Sequence, residues 1–293
     1  MVIPYARQSI SEQDLNAVAE VLQSDYLTQG PVVPAFEDAV AQLVGAKYAV
    51  AGNSATSMLH VACLALGVTA GDRVWTSPNS FVASANCALY CGAEIDFVDI
   101  DSETFNMSPV ALAVKLEQAS KSNTLPKVII PVHMGGQSCD MQSIGSLAKQ
   151  YGIKVIEDAS HAIGGSYNSQ KIGNCAHSDI TIFSFHPVKI ITSGEGGMAT
   201  TQDESLAHNM RMLRSHGITR DESEFEFTSD GPWYYEQQQL GLNYRLTDIA
   251  AALGLSQLQR IDSFIQQRNS IAARYDEAFR STQVVVPHID ANC

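Results

Sequence analysis

An α/β fold built on a mainly parallel sheet is what this sequence predicts, and three observations carry the prediction. Short apolar runs at Val74-Trp75-Thr76, Ile95 to Val98, Val128 to Val132, Val155-Ile156 and Ile180 to Phe183 alternate with helical stretches at 81–91, 109–119 and 141–150. That rhythm is the mark of βα units with helices on both faces of the sheet. A chain of 293 residues, 45% hydrophobic, can bury a large core. Nothing repeats, and no segment is low in complexity.

Taken in order, Met1-Val2-Ile3-Pro4 is followed by no apolar h-region, and no run approaches transmembrane length. The expectation is a cytoplasmic protein. Residues Ser11 to Ser24 read as a helix, with Ser11 as cap and Leu15, Val18, Val21 and Leu22 as its apolar stripe. The loop Asp25 to Pro31 leads to a second helix, from Pro34 through Phe36, Val40, Leu43 and Val44 to a stop at Gly45. After the strand-like Tyr48 to Ala51 comes Asn53-Ser54-Ala55-Thr56-Ser57, opening a helix that runs through Leu66. Further on, a helix over 203–215 precedes an aperiodic stretch from Ile218 to Tyr235, a loop of the length that is commonly functional or mobile. Thr247 then caps one long helix.

Composition narrows the function. A net charge of −13 argues against nucleic acid or an anionic membrane as partner, because that field attracts neither. An anionic small molecule would need local donors. The six cysteines, Cys63, Cys87, Cys91, Cys139, Cys175 and Cys293, contain no CxxC spacing, and the eight histidines form no HxxxH or HExxH pattern. Buried small side chains account for the cysteines, and no metal site is expected.

Three stretches carry chemistry. The first is Ser184-Phe185-His186-Pro187-Val188-Lys189, followed by Gly194-Glu195-Gly196-Gly197. Pro187 turns the chain just beyond a buried strand, so Lys189 stands on the loop leaving it. A lysine there is either a solvated surface group or an amine held for Schiff-base chemistry, with glycines leaving room for a ligand. The second is Lys154-Val155-Ile156-Glu157-Asp158, a strand ending in carboxylates at the sheet end where α/β proteins bind ligands. An aspartate there is a cap or surface acid, or else the anion that keeps a pyridinium protonated as an electron sink. The 31 residues between Asp158 and Lys189 leave room for one βα-sized excursion between neighbouring strands. The third is Asn53 to Ser57, where helix-opening amides suit a phosphate, although serine and threonine at such a place also serve as plain caps. Phosphate cup, ring carboxylate and lysine follow one another in the order a pyridoxal phosphate (PLP) aminotransferase uses.

The chain resembles the nucleotide-sugar aminotransferases of the DegT/DnrJ/StrS family. The match runs from Ile3-Pro4-Tyr5 through Leu27 to Pro31, Asn53 to Thr56, Glu157 to Ala162, Ser184 to Lys189, Gly194 to Gly197, and Asn243-Tyr244-Arg245-Leu246-Thr247-Asp248. Within the family it is most similar to the branch of the pseudaminic acid pathway, through Ser184 to Lys189, Arg214 to Ile218 and Leu253 to Leu258. The resemblance implies the PLP-dependent transferase fold, aspartate aminotransferase-like (fold type I), with a large cofactor domain over 1–245 and the start of a small domain over 246–293. It implies PLP held by Lys189 and Asp158 as catalytic residues, with Ala55, Thr56, Ser184 and Asn243 at its phosphate, Phe81 against the ring and His161 nearby. Phe81 serves core packing equally well, and His161 is either a support for Asp158 or a hydrogen-bonded core residue. Tyr5, Asp25, Tyr26, Leu27 and Thr28 are implied contacts to the sugar nucleotide. Asn243 would act across a homodimer. The implied reaction moves nitrogen from glutamate to the C4 ketone of a UDP-linked 4-keto-6-deoxy-N-acetylhexosamine. Another 3- or 4-keto nucleotide-sugar stays open as acceptor, as does a PLP- or UDP-sugar-binding remnant without turnover; a dehydratase branch carries histidine where Lys189 stands. Family members run on for roughly 80 to 100 further residues, about a small domain's worth, so this chain is expected to lack most of that domain.

Overall fold

In the computed structural model, which describes residues 6–293, two helices precede the sheet: α1 (Glu12–Leu22) and α2 (Val32–Val44). There follow β1 (Tyr48–Gly52), α3 (Ala55–Ala65), β2 (Arg73–Thr76), α4 (Ala83–Tyr90), β3 (Glu94–Phe97), α5 (Pro109–Ser122), β4 (Val128–Ile130), α6 (Met141–Tyr151) and β5 (Lys154–Asp158). A small hairpin, β6 (Ser166–Tyr167) and β7 (Gln170–Lys171), leads to β8 (Ile180–Ser184), β9 (Gly197–Thr201) and α7 (Glu204–Arg214). Two-residue strands β10 (Ile218–Thr219) and β11 (Glu236–Gln237) bracket the aperiodic stretch, before α8 (Asp248–Leu258) and α9 (Ile261–Phe279).

The main sheet has the order β1-β9-β8-β5-β4-β2-β3. Its pairs are parallel except those of β9, which runs antiparallel to both β8 and β1. Sequence reading did not anticipate β9: Gly197-Met-Ala-Thr-Thr lacks a strongly apolar run, and it is tertiary burial of every residue that makes it a strand. Side chains alternate between the faces. Val74, Val128, Ile130, Ile156 and Ile182 pack on one side against α3, α4 and α7, through Met58, Leu59, Cys87 and Met210. On the other side Trp75, Ile129 and Val155 meet α5 and α6, while Ala51, Phe183 and Met198 meet α2 and α8 through Phe36, Val40 and Ala251. Both faces are therefore covered, which is why the strands read as apolar runs.

Two readings of helices need correction. The helix expected to run unbroken from Thr247 stops at Leu258, and α9 restarts at Ile261 after Gln259 and Arg260. Arg260 leaves the helical line to reach Asp14, with Nη2 2.5 Å from Oδ2. In α1, Val21 of the expected stripe is buried but Leu15 and Leu22 are exposed, and Asp14 is buried as well. Asp14 closes a capping box with Ser11 and also accepts hydrogen bonds from Ser256 Oγ at 2.6 Å and Gln257 Nε2 at 2.8 Å, so a carboxylate carries the contact to α8. Its own partners hold the Asp14 carboxyl below the usual range against burial, which acts the other way. No helix of the described residues is long and apolar enough to cross a membrane.

Candidate active site

Strands β5 and β8 are parallel neighbours, with Asp158 beside Ile182, so the loops beyond their carboxyl ends open on the same side of the sheet. A cleft of about 690 Å³ lies there, within the size range of small-molecule sites. Lys189, Asp158, His161, Ser184, Ala55, Thr56 and Phe81 all line it. Residues up to 134 positions apart in the sequence are thus brought to one cavity.

Lys189 follows the turn at Pro187 and is half-buried. Burial pulls its amine below the ordinary lysine value, and the Asp158 charge opposes that pull without cancelling it. The backbone there is held by Lys189 N–H donating to the His186 carbonyl and by Arg268 Nη2 donating to the Lys189 carbonyl at 3.0 Å. The amine itself is left facing the cleft.

Asp158 ends β5 and is 4% exposed. Period-two alternation sends Glu157 to the opposite face, where it accepts hydrogen bonds from His133, Ser178 and Thr181. Cys139 N–H donates to His133 Nδ1, which places the imidazole proton on Nε2, toward Glu157. Burial raises the Glu157 carboxyl, but these bonds outweigh burial and hold it below its usual range. Asp158 itself accepts from Ser84 Oγ at 2.6 Å on Oδ2, and from Ser160 Oγ at 2.6 Å and Ser160 N at 3.1 Å on Oδ1. His161, expected as a possible support, lines the cleft beside Asp158 while the serines hold the carboxylate. Burial, and then the nearby Lys189 charge, push the His161 imidazole below its ordinary value, against the Asp158 charge, which acts the other way.

Ser54 caps α3 by accepting from Ser57 N–H, and Ser57 Oγ donates to Asn53. The amides of Ala55 and Thr56 reach no backbone or side-chain acceptor among the described residues, as is usual in a first helical turn. Gly197 lets β9 pass directly beneath this turn: a Cβ there would lie 2.4 Å from Ala55 N. Phe81 is 71% exposed at the cleft, so its ring is free to meet a ligand and is not core packing.

Other expected contacts lie elsewhere. Asp25, Tyr26, Leu27 and Thr28 form an exposed loop outside the cleft, pinned by a Thr28 bridge to Thr247 and by Asp248 N–H donating to the Leu27 carbonyl. Asn243 is exposed and also outside it, its backbone bridged to Ser215. Tyr5 lies outside the described residues. Two cleft residues were given no role by the sequence, Ser160 and Glu195, nor was Ser84, which lies buried behind the cleft and 74 positions from its partner Asp158. Ser160 carried a signal, since a serine two residues after an aspartate is a turn pattern.

These groups suit pyridoxal phosphate: unpaired amides and a hydroxyl for a phosphate, an aromatic face, a buried carboxylate for a ring nitrogen, and a partly desolvated amine. The sequence profile of the DegT/DnrJ/EryC1/StrS aminotransferase family matches residues 8–292. The chain belongs to this family.

Among relatives, the spore coat polysaccharide biosynthesis protein SpsC of Bacillus subtilis is 43% identical over 95% of this chain and 69% of its own length. The UDP-4-amino-4,6-dideoxy-N-acetyl-beta-L-altrosamine transaminase of Campylobacter jejuni is 40% identical over 95% of this chain and 70% of its own. Among solved structures, Helicobacter pylori PseC, an aminotransferase of pseudoaminic acid biosynthesis, superposes with a TM-score of 0.86 at 33% identity, covering 97% of this chain and 72% of that one. The PLP form of a sugar aminotransferase from Streptococcus pneumoniae superposes at 0.84 and 29% identity, covering 97% and 73%. The family is one of PLP-dependent sugar aminotransferases, and this chain has its α/β fold over about 70% of its relatives' length.

Proposed function

We propose that this protein is a PLP-dependent aminotransferase that passes the amino group of glutamate to the C4 ketone of a UDP-linked 4-keto-6-deoxy-N-acetylhexosamine. One observation carries the reading: Asp158, at the end of β5, and Lys189, on the loop beyond its parallel neighbour β8, line a single cleft together with Ala55 and Thr56. The choice of sugar is supported by the Campylobacter jejuni transaminase and by PseC, while SpsC, at similar identity, bears a different name.

Pyridoxal phosphate, when bound, supplies a protonated ring that accepts the electron pair left when a proton leaves the carbon bearing nitrogen. Lys189 would hold the cofactor, and its amine would serve as the base and acid that takes the proton from the amino donor's Cα and gives it back. The lowered affinity of that amine for protons favours the neutral form needed to accept one. Asp158, on the cleft wall, would hold the ring nitrogen and keep it charged. The Ala55 and Thr56 amides and the Ser184 hydroxyl hold the phosphate, joined by Asn243 of a second subunit in a homodimer. Phe81 covers one ring face and excludes water. By the family resemblance, Tyr5 and the loop Asp25 to Thr28 contact the nucleotide-sugar.

The test is a visible spectrum of the PLP-loaded protein before and after glutamate, followed by a panel of 3- and 4-keto nucleotide-sugars. Bleaching with glutamate and recovery with the 4-keto-6-deoxy-N-acetyl sugar is the expected result. A spectrum that glutamate leaves unchanged refutes turnover and leaves a binding protein; recovery with a different sugar refutes the acceptor. Replacing Lys189 by Ala should remove all borohydride-reducible cofactor from the protein.

A further inference from the structure

Behind the cleft, α4 begins with Ala83 and Ser84, and the Ser84 side chain is wholly buried. Its hydroxyl lies 2.6 Å from Asp158 Oδ2 and 2.7 Å from Ser80 Oγ. An ionised carboxylate can only accept, so the single Ser84 proton goes to Asp158, and Ser84 must in turn accept from Ser80. Ser80 borders the cleft next to Phe81. The outcome is a directed relay, Ser80 to Ser84 to Asp158, running from the segment that carries the ring-facing aromatic to the carboxylate deep in the cleft. Ser160 holds the other oxygen, Oδ1, by side chain and backbone.

Resting on the function proposed above, we infer that Ser84 is a positioning residue for the cofactor: its hydroxyl fixes the orientation of the Asp158 carboxylate where the ring nitrogen binds. Two physical reasons support this. A buried carboxylate needs hydrogen-bond donors in place of water, and hydroxyl donors at 2.6 Å are the short kind. With Ser160 on one oxygen and Ser84 on the other, neither the torsion about the carboxyl nor its tilt is free, so the ring meets an acceptor that is already aimed. Ser84 touches no part of a ligand lodged in the cleft; it acts through Asp158.

The experiment is a double-mutant cycle read by binding, with no turnover involved. Affinity of the apoprotein for pyridoxal phosphate is measured by absorbance titration for the wild type, Ser84→Ala, Ser84→Thr, Ser84→Cys, Asp158→Asn, and Ser84→Ala combined with Asp158→Asn. Loss of one hydrogen bond to a charged group predicts about tenfold weaker binding for Ser84→Ala. Ser84→Thr retains the hydroxyl and wild-type affinity; Ser84→Cys, of similar size but a poor donor, weakens binding nearly as much as Ala and serves should the Ala variant not fold. In the Asp158→Asn background the Ser84→Ala change alters affinity by less than about twofold, because the coupling partner is gone. Equal losses in both backgrounds, or wild-type affinity in Ser84→Cys, overturn the role of Ser84. Absence of any pyridoxal phosphate binding by the wild type is a distinct failure, which removes the proposed function and this inference with it.

Discussion

Replacing Gly197 by alanine should damage cofactor binding from beneath the site. A Cβ on Gly197 would lie 2.4 Å from Ala55 N, 2.5 Å from the Ser54 carbonyl carbon and 2.6 Å from Ala55 Cα, where ordinary contact begins at 3.4 Å. Something must move by about 1 Å, and the obstructing atoms are backbone, with no flexible tip to swing aside. Strand β9 is hydrogen-bonded along both edges, to β1 and β8, so the first turn of α3 gives way. An amide 2.9 Å from a phosphate oxygen would then stand at about 3.9 Å, beyond hydrogen-bond range. With two amides lost to a charged acceptor at about 1.5 kcal/mol each, affinity for pyridoxal phosphate falls on the order of 100-fold. Overpacking also lowers stability by about 1–3 kcal/mol. Titration of the apoprotein with cofactor gives the first quantity and urea unfolding the second. Gly194→Ala is the control: that glycine has φ +82° but nothing within 4 Å, so its cost is backbone strain of roughly 1 kcal/mol without displacement of α3. Equal cofactor affinity in Gly197→Ala and wild type would refute the claim that the α3 amides hold the phosphate.

Because burial lowers the Lys189 amine below its usual 10.5, covalent capture of pyridoxal phosphate, trapped with borohydride, should rise with pH and reach its midpoint below that value. Asp158 opposes the shift, so Asp158→Ala moves the midpoint lower still; an upward move contradicts the assignment. Asp14→Ala removes the α1 capping box and strips Gln257 and Arg260 of their acceptor, a loss of about 3 kcal/mol in urea unfolding after allowance for the partial exposure of Arg260. The Asp14 carboxyl is depressed in the fold, so its contribution is full above the unfolded value of 3.8 and disappears as pH falls through the folded one. Wild type and Asp14→Ala should therefore converge in stability in strong acid and differ fully at neutral pH. Asn243→Ala should weaken cofactor binding in a self-associated protein; sedimentation of the loaded wild type as a monomer would contradict the trans contact.

Much of the scaffold was legible along the chain because its signals are local. The apolar runs from Val74 to Phe183 became strands within a residue or two; burial on both faces leaves the central ones no polar alternation to blur the pattern, while the edge strand β3 is largely exposed. Gly45 ends α2 in a left-handed cap, and Ser11, Ser54 and Thr247 each cap a helix, as short polar side chains before an apolar run should. Lys189 and Asp158 stood out by residue type and by their places at strand ends. The break at Gln259-Arg260 left no such mark, since both residues are good helix formers and the partner Arg260 meets there, Asp14, is 246 positions away.

From sequence alone came the α/β order, the helix starts and the places of Lys189 and of the Glu157-Asp158 pair at strand ends, because each depends on neighbours within a few positions. Folding decided which of two adjacent acids faces the ligand: Asp158 turns to the cleft, and Glu157 to a buried histidine on the other face. It also supplied β9, the approach of Gly197 to the α3 turn, and the Ser84 hydroxyl at Asp158. Those features join segments tens to more than a hundred positions apart. Contacts at such range are set by packing the whole sheet and its helices together, and no local pattern encodes them.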